Sequence, residues 1–181
     1  MTSGAAHHES TPPSDWIARV ADQIRNGGRV LDLACGRGRH TRLLSERGFH
    51  VVAVDRDVSG VADLESDARV TVVEADLESE SWPLDGETFD AVVVTNYLYR
   101  PHLLALVDLL VDGGLLAYET FARGQEAYGR PRNPDYLLQQ NELRDTFAPH
   151  LEVLEFKQYV ASPPAVRQRI LARKRGAESA G

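Results

Sequence analysis

One stretch, Val30 to Asp57, constrains this chain more than any other: VLDLACGRGRHTRLLSERGFHVVAVDRD. A short apolar run, Val30 to Ala34, enters a loop holding Gly36 and Gly38. A helix-forming segment, Arg39 to Arg47, follows, and a second apolar run, His50 to Val54, ends in Asp55. The order is strand, glycine loop, helix, strand, acid. Small residues let a ligand approach the backbone, and a carboxylate closing the second strand can accept both hydroxyls of a ribose. The stretch is therefore suited to hold a cofactor that carries a nucleoside.

Two cofactor classes compete for such a site. The dinucleotide fingerprint G-x-G-x-x-G seats a pyrophosphate over a helix N-terminus, but here Thr41 stands at the third glycine position. Asp32 adds a negative charge that disfavours a diphosphate and could hold the cationic amino end of a methionine. VLDLACGRGRH resembles motif I of the class I S-adenosylmethionine (SAM) methyltransferases. That resemblance implies SAM as cofactor, held by Asp32, Ala34, Gly36, Gly38, His40, Asp55, Arg56 and Asn96. Asp76-Leu77, directly after the β-branched run Arg69 to Glu74, resembles the family's adenine-edge motif. There the acid accepts from the exocyclic amine and the next backbone amide meets a ring nitrogen.

The resemblance runs through nearly everything after the first fourteen residues. It implies a single Rossmann-like three-layer α/β/α sandwich, with a mostly parallel seven-stranded sheet and an antiparallel C-terminal hairpin. The expected organisation is a disordered lead-in over 1–13, one domain over 14–175 and a flexible tail over 176–181. Ser14 reads as the N-cap of a helix from Asp15 to Arg25, whose Trp16 either lids the cofactor or belongs to the core. Further expected elements are a weak helix from Gly60 to Asp67 and strands over Arg69 to Glu74 and Phe89 to Thr95. A helix follows from Arg100 to Val111, stopped by Asp112-Gly113-Gly114, then a strand from Leu115 to Thr120. A long loop rich in Gly and Pro leads to a helix from Gln139 to Phe147. The hairpin pairs Leu151 to Val160 with Ala165 to Arg173 through Ser162-Pro163-Pro164.

Composition narrows the function classes. A lone Cys35 excludes an intramolecular disulfide framework, fits a reducing, cytoplasmic setting, and reads as a packed small residue of the loop. No apolar run is long enough to span a bilayer, and the first thirteen residues lack the apolar core of a signal peptide. A net charge of −7 argues against broad nucleic-acid binding while leaving room for a local basic patch. The histidines, His40 included, show no metal-ligand spacing, so no metal is expected.

In an open α/β sheet, ligands lie outside the carboxyl ends of the strands where strand order reverses. Asn96, Tyr97, Tyr99 and Arg100 leave the fourth strand on that edge, and Glu119 and Arg123 leave the fifth. Glu119, Tyr97 and Tyr99 are the candidate catalytic groups; Arg100, Arg123 and Tyr128 are the candidate acceptor contacts. Asp90 reads as structural. The family's methylators of base amino groups often carry N/D-P-P-Y/F after strand four, whereas this chain reads TNYLYR. Small size and the YGRPRNPDYLL segment look similar to compact bacterial methyltransferases of the tellurite-resistance type. The expected function is methyl transfer from SAM to a small soluble acceptor, by a monomer or homodimer. The alternatives are an RNA acceptor contacted by Arg123, Arg130 and Arg132, a SAM-binding regulator without turnover, and a nicotinamide-dependent oxidoreductase, which Thr41 and Asp32 disfavour.

Overall fold

Runs of β-branched residues that are apolar on both faces demand a sheet covered on both sides, and the chain forms one. A computed structural model describes residues 11–80 and 82–176. Its strands are β1 (Arg29–Leu33), β2 (His50–Asp55), β3 (Val70–Glu74), β4 (Phe89–Thr95), β5 (Leu110–Phe121), β6 (Leu151–Ala161) and β7 (Ala165–Lys174), arranged in the order β3-β2-β1-β4-β5-β7-β6. The first five are parallel, and the hairpin adds β7 antiparallel to β5 and β6 antiparallel to β7. This is the expected three-layer α/β/α sandwich.

Alternation along the strands divides the core. Val30, Val51, Ala91, Val93, Ala117 and Leu171 face α1 (Asp15–Ala21) and α2 (Arg39–Glu46), meeting Trp16, Ile17, Val20 and Leu44. Leu33, Val52, Val54, Val92, Val94, Leu116 and Ile170 face the other way, against Leu103, Leu106, Leu143 and Phe147 of α3 (Ala105–Asp108), α4 (Glu142–Phe147) and their flanks. Trp16 is thus core, with its Nε1 donating to Glu155 at 3.3 Å.

The helices are shorter than the apolar spacing predicts. Between Arg100 and Val111 the chain makes a 3₁₀ turn, Arg100–His102, then one α turn, and enters β5 at Leu110. Pro101 removes a backbone donor and disfavours the α region for the residue before it. The spacing still predicts burial, since Leu103, Leu106 and Leu109 are inside while Leu104 is half exposed. Leu110 pairs with Phe89, so Asp112-Gly113-Gly114 forms an irregularity within β5 and does not end a helix. The segment Ser59–Ser66 is 3₁₀, and α1 stops four residues short of Arg25. Ser14 does not cap α1 through its side chain. Its amide donates to His40 Nε2 at 3.1 Å, and its hydroxyl makes a long 3.5 Å contact with Glu119.

Asp90 is structural, receiving Arg25 Nε at 2.9 Å and the Arg29 amide at 2.8 Å, which joins the turn before β1 to β4. The expected lead-in and tail fall largely outside the described residues.

Phe147 anchors the α4 side, fully buried with its ring centroid 6.3 Å from that of Tyr118. Phe147→Ala is expected to lower stability by about 3–5 kcal/mol, the usual cost of emptying an aromatic site in a core. Urea titration followed by circular dichroism measures it.

Candidate active site

Strand order reverses between β1 and β4, and the carboxyl ends of the strands open there into a cleft of about 530 Å³. Its walls come from Ala34 after β1, Asp55 and Arg56 at the end of β2, Asp76, Leu77 and Glu78 after β3, and Asn96, Tyr97 and Leu98 after β4. Thr120 and Phe121 close β5, and Pro131 and Tyr136 reach in from the following loop.

The glycine loop is held tightly. The Cys35 amide donates to the Val54 carbonyl at 3.0 Å, and the Gly36 amide donates to Asp55 Oδ2 at 2.8 Å. The second Asp55 oxygen receives the Asp57 amide at 3.2 Å. Gly38 caps α2 at φ +70, and a Cβ there would stand 2.4 Å from Val61 Cγ1, so this position admits glycine alone without rearrangement. Gly36, at φ +54, has open space where a Cβ would be. Two residues with side chains, Ala34 and Asn96, also sit at φ +56, side by side at the ends of β1 and β4. Left-handed backbone at non-glycine positions is energetically costly, and two of the three instances among the described residues border the cleft, the third being Asn141 before α4.

A family model described as a methyltransferase domain matches residues 30–114. A tRNA U34 carboxymethyltransferase of Pseudomonas fluorescens is 32% identical over 126 residues, covering 63% of this chain and 40% of that protein. A demethylmenaquinone methyltransferase of Clavibacter sepedonicus is 40% identical over 105 residues, covering 53% of this chain and 42% of the relative. This chain thus spans well under half the length of those curated relatives. Among solved structures, TehB from Haemophilus influenzae superposes with a TM-score of 0.73 at 20% identity, over 93% of this chain and 64% of that one.

Residues 30–114 carry a methyltransferase domain, set in a fold shared with SAM-dependent methyltransferases of known structure. Its cleft fits the cofactor that this family uses. The volume lies in the range of small-molecule sites, and Asp55 is fixed by two amides with its carboxylate at the wall. Asp76 lines the same wall. One of its oxygens receives the Glu78 amide at 2.9 Å, so it also shapes its own turn.

Of the residues the sequence nominates, Ala34, Asp55, Arg56, Asp76, Leu77, Asn96 and Tyr97 border the methyltransferase cleft and the others do not. Asp32 is sealed below the loop, receiving Thr41 Oγ1 at 2.6 Å, and burial raises its pKa to about 6. Its carboxylate is not among the groups that wall the cleft. His40 is buried behind the loop, its Nε2 accepting the Ser14 amide and its Nδ1 3.3 Å from Thr95 Oγ1. Burial, then the Arg39 charge, lowers its pKa to about 4, so the ring is neutral. Burial likewise pushes the Cys35 thiol up to about 12, leaving an inert packed side chain.

Glu119 lies two residues inside the end of β5, because the strand continues to Phe121. Its carboxylate receives the Tyr159 hydroxyl at 2.6 Å. Tyr99 packs on His102, with ring centroids 5.1 Å apart, in an apolar recess behind the cleft. Arg100 is a strut: it pairs with Glu142 and donates to the carbonyls of Asp135 and Leu137. Arg123 and Tyr128 are exposed away from the cleft. The Ala122–Leu138 bridge folds the loop so that Pro131 and Tyr136 come to the cleft in their place. Glu78, Thr120 and Phe121 complete the wall without having been nominated. Thr120 and Phe121 follow from the rule that selected Asn96, once β5 is extended to its true end.

Tyr97 holds the remaining polar anomaly. Its hydroxyl is buried without a hydrogen-bond partner among the described residues, and burial raises its pKa.

The raised pKa of Asp32 has a pH signature. Its stabilising share is complete below the ordinary carboxylate pKa and is lost as pH rises through about 6. Asp32→Asn is therefore expected to gain stability over the parent chain at pH 7.5, by up to about 3 kcal/mol, and to gain nothing near pH 4. Paired urea titrations at the two pH values read the difference.

Proposed function

We propose that the protein transfers the methyl of SAM to a small soluble acceptor. The observation that carries the reading is the Asp55 carboxylate, fixed by the Gly36 and Asp57 amides at the mouth of a cleft where strand order reverses. SAM bound there would supply an activated methyl: as an acceptor lone pair forms the new bond to carbon, the C–S pair returns to sulfur and leaves a neutral thioether.

The chain's own residues bind and orient. Asp55 accepts the ribose hydroxyls, and a charge-assisted bond of that kind contributes about 1.5–3 kcal/mol. Asp76 accepts from the adenine amine, the Leu77 side chain supplies apolar floor, and the loop from Ala34 to Gly38 passes beneath the amino-acid end. Tyr97, Phe121 and Tyr136 wall the acceptor side and exclude water, which an in-line displacement requires. Neither Glu119 nor Tyr97 is poised as a general base. Glu119 is committed to Tyr159, and Tyr97 has a raised pKa. The site therefore suits acceptors that are already nucleophilic at neutral pH.

Two features support a small acceptor. The loop carrying Pro131 and Tyr136 narrows the cleft from above, and the whole chain is acidic. The relative acting at tRNA U34 and the exposed Arg123, Arg130 and Arg132 make RNA the competing acceptor.

Asp55→Ala is expected to weaken S-adenosylhomocysteine binding by about 10- to 100-fold and to loosen the glycine loop, whose Gly36 amide loses its acceptor, without unfolding the chain. Calorimetric titration measures it, and unchanged affinity removes Asp55 from the site. With methyl-labelled SAM, label is expected in the low-molecular-weight fraction of a cell extract. Label in tRNA, lost on replacing the three loop arginines, would instead establish an RNA acceptor.

A further inference from the structure

The two ends of the cleft differ in charge. Asp55, Asp76 and Glu78 line the end formed by β2 and β3, with Arg56 as its one cation. At the other end, Arg167 on β7 lies opposite Phe121 of β5, its guanidinium 4.3 Å above the Phe121 ring, and Nη1 donates to Asn96 Oδ1 at 2.8 Å. Phe121 and Asn96 both line the cleft, so Arg167 stands directly behind its acceptor-side wall. Asn96 takes one of the five donors of the guanidinium, whose fork matches a carboxylate.

Building on the proposed methyl transfer, we infer that the acceptor carries a carboxylate, received by Arg167 at the end of the cleft bordered by Asn96 and Phe121. A second cation stands nearby. Arg39, at the start of α2, donates to the Pro12 carbonyl at 3.2 Å, and burial together with the Arg167 charge lowers its pKa. The carboxylates facing this pair are already engaged: Glu119 by Tyr159 and Ser14, Asp32 by Thr41. Arg169, the next cation on that face of β7, is paired with Glu155. Arg167 and Arg39 thus stand on half-buried ground near carboxylates whose oxygens already hold neutral donors, which leaves guanidinium donors for a ligand to accept. The bias extends along the hairpin: residues 151–176 hold six Lys and Arg against two Glu in a chain of net charge −7. The flat Phe121 ring holds the guanidinium in place, and a charged pair bonded through a fork is roughly twice as strong as a neutral hydrogen bond.

The cofactor's own carboxylate has the same chemistry, so the test separates the two sources. The full chain, saturated with S-adenosylhomocysteine, is titrated by NMR with matched acid and amide pairs: phenylacetate against phenylacetamide, and succinate against succinamide. At least one acid is expected to bind about tenfold tighter than its amide. Arg167→Gln should bring that acid to within about twofold of the amide, and Arg167→Lys should keep part of the preference. Affinity for S-adenosylhomocysteine should stay unchanged in both variants. Equal binding of acids and amides overturns the inference while leaving methyl transfer standing. So does a loss of S-adenosylhomocysteine affinity in Arg167→Gln with 5′-methylthioadenosine unaffected, which would make Arg167 a cofactor contact. Displacement of the acids by total tRNA at low salt would mark the patch as a phosphate surface and also overturn it. Failure of the parent chain to bind S-adenosylhomocysteine overturns both readings.

Discussion

The hydrogen bond from the Gly36 amide to Asp55 Oδ2, at 2.8 Å, joins the ends of two strands whose residues are nineteen positions apart. It closes the glycine loop against β2, and the Cys35 amide on the Val54 carbonyl repeats the link one residue earlier. With the loop fixed, α2 starts at Gly38, Val61 packs against that glycine, and the segment after β2 lies along the loop. The same carboxylate stands at the cleft wall, so the group that shapes the loop is also the group offered to a ligand. This double use lets one side chain both shape the loop and stand at the cleft wall.

A second set of contacts ties the chain before α1 to the opposite side of the cleft. The neutral His40 ring accepts the Ser14 amide and meets Thr95, while Glu119 accepts from Tyr159. These groups look catalytic by type, yet each is consumed in holding elements together. Buried polar groups must be satisfied, and here satisfaction removes them from chemistry. Tyr97, whose hydroxyl has no partner among the described residues, is the exception.

Strands and their neighbours were legible because β-branched runs with period two leave little choice of burial. The hairpin from Leu151 to Lys174 and the strand from Phe89 to Thr95 follow the sequence pattern closely. Helix lengths were less legible. The leucines from Leu103 to Leu110 have helical spacing, but Pro101 and the pairing of Leu110 with Phe89 leave only one α turn between a 3₁₀ turn and a strand. Propensity within a segment competes with hydrogen bonds offered by a distant strand, and the sheet prevails.

By itself the sequence determined the β1–β3 side of the cleft: local spacing places Ala34, Asp55, Asp76 and Leu77 at consecutive strand ends, and parallel strands bring those ends to one edge. Only the tertiary structure decided the opposite side of the cleft. Arg167 meets Asn96 across 71 residues, Tyr136 replaces Tyr128 at the cleft, and Arg100 becomes a strut. These outcomes depend on how the β5–α4 loop folds back and where the antiparallel hairpin lands. Contacts between residues so far apart in the chain leave no periodicity within any one segment from which they could be read.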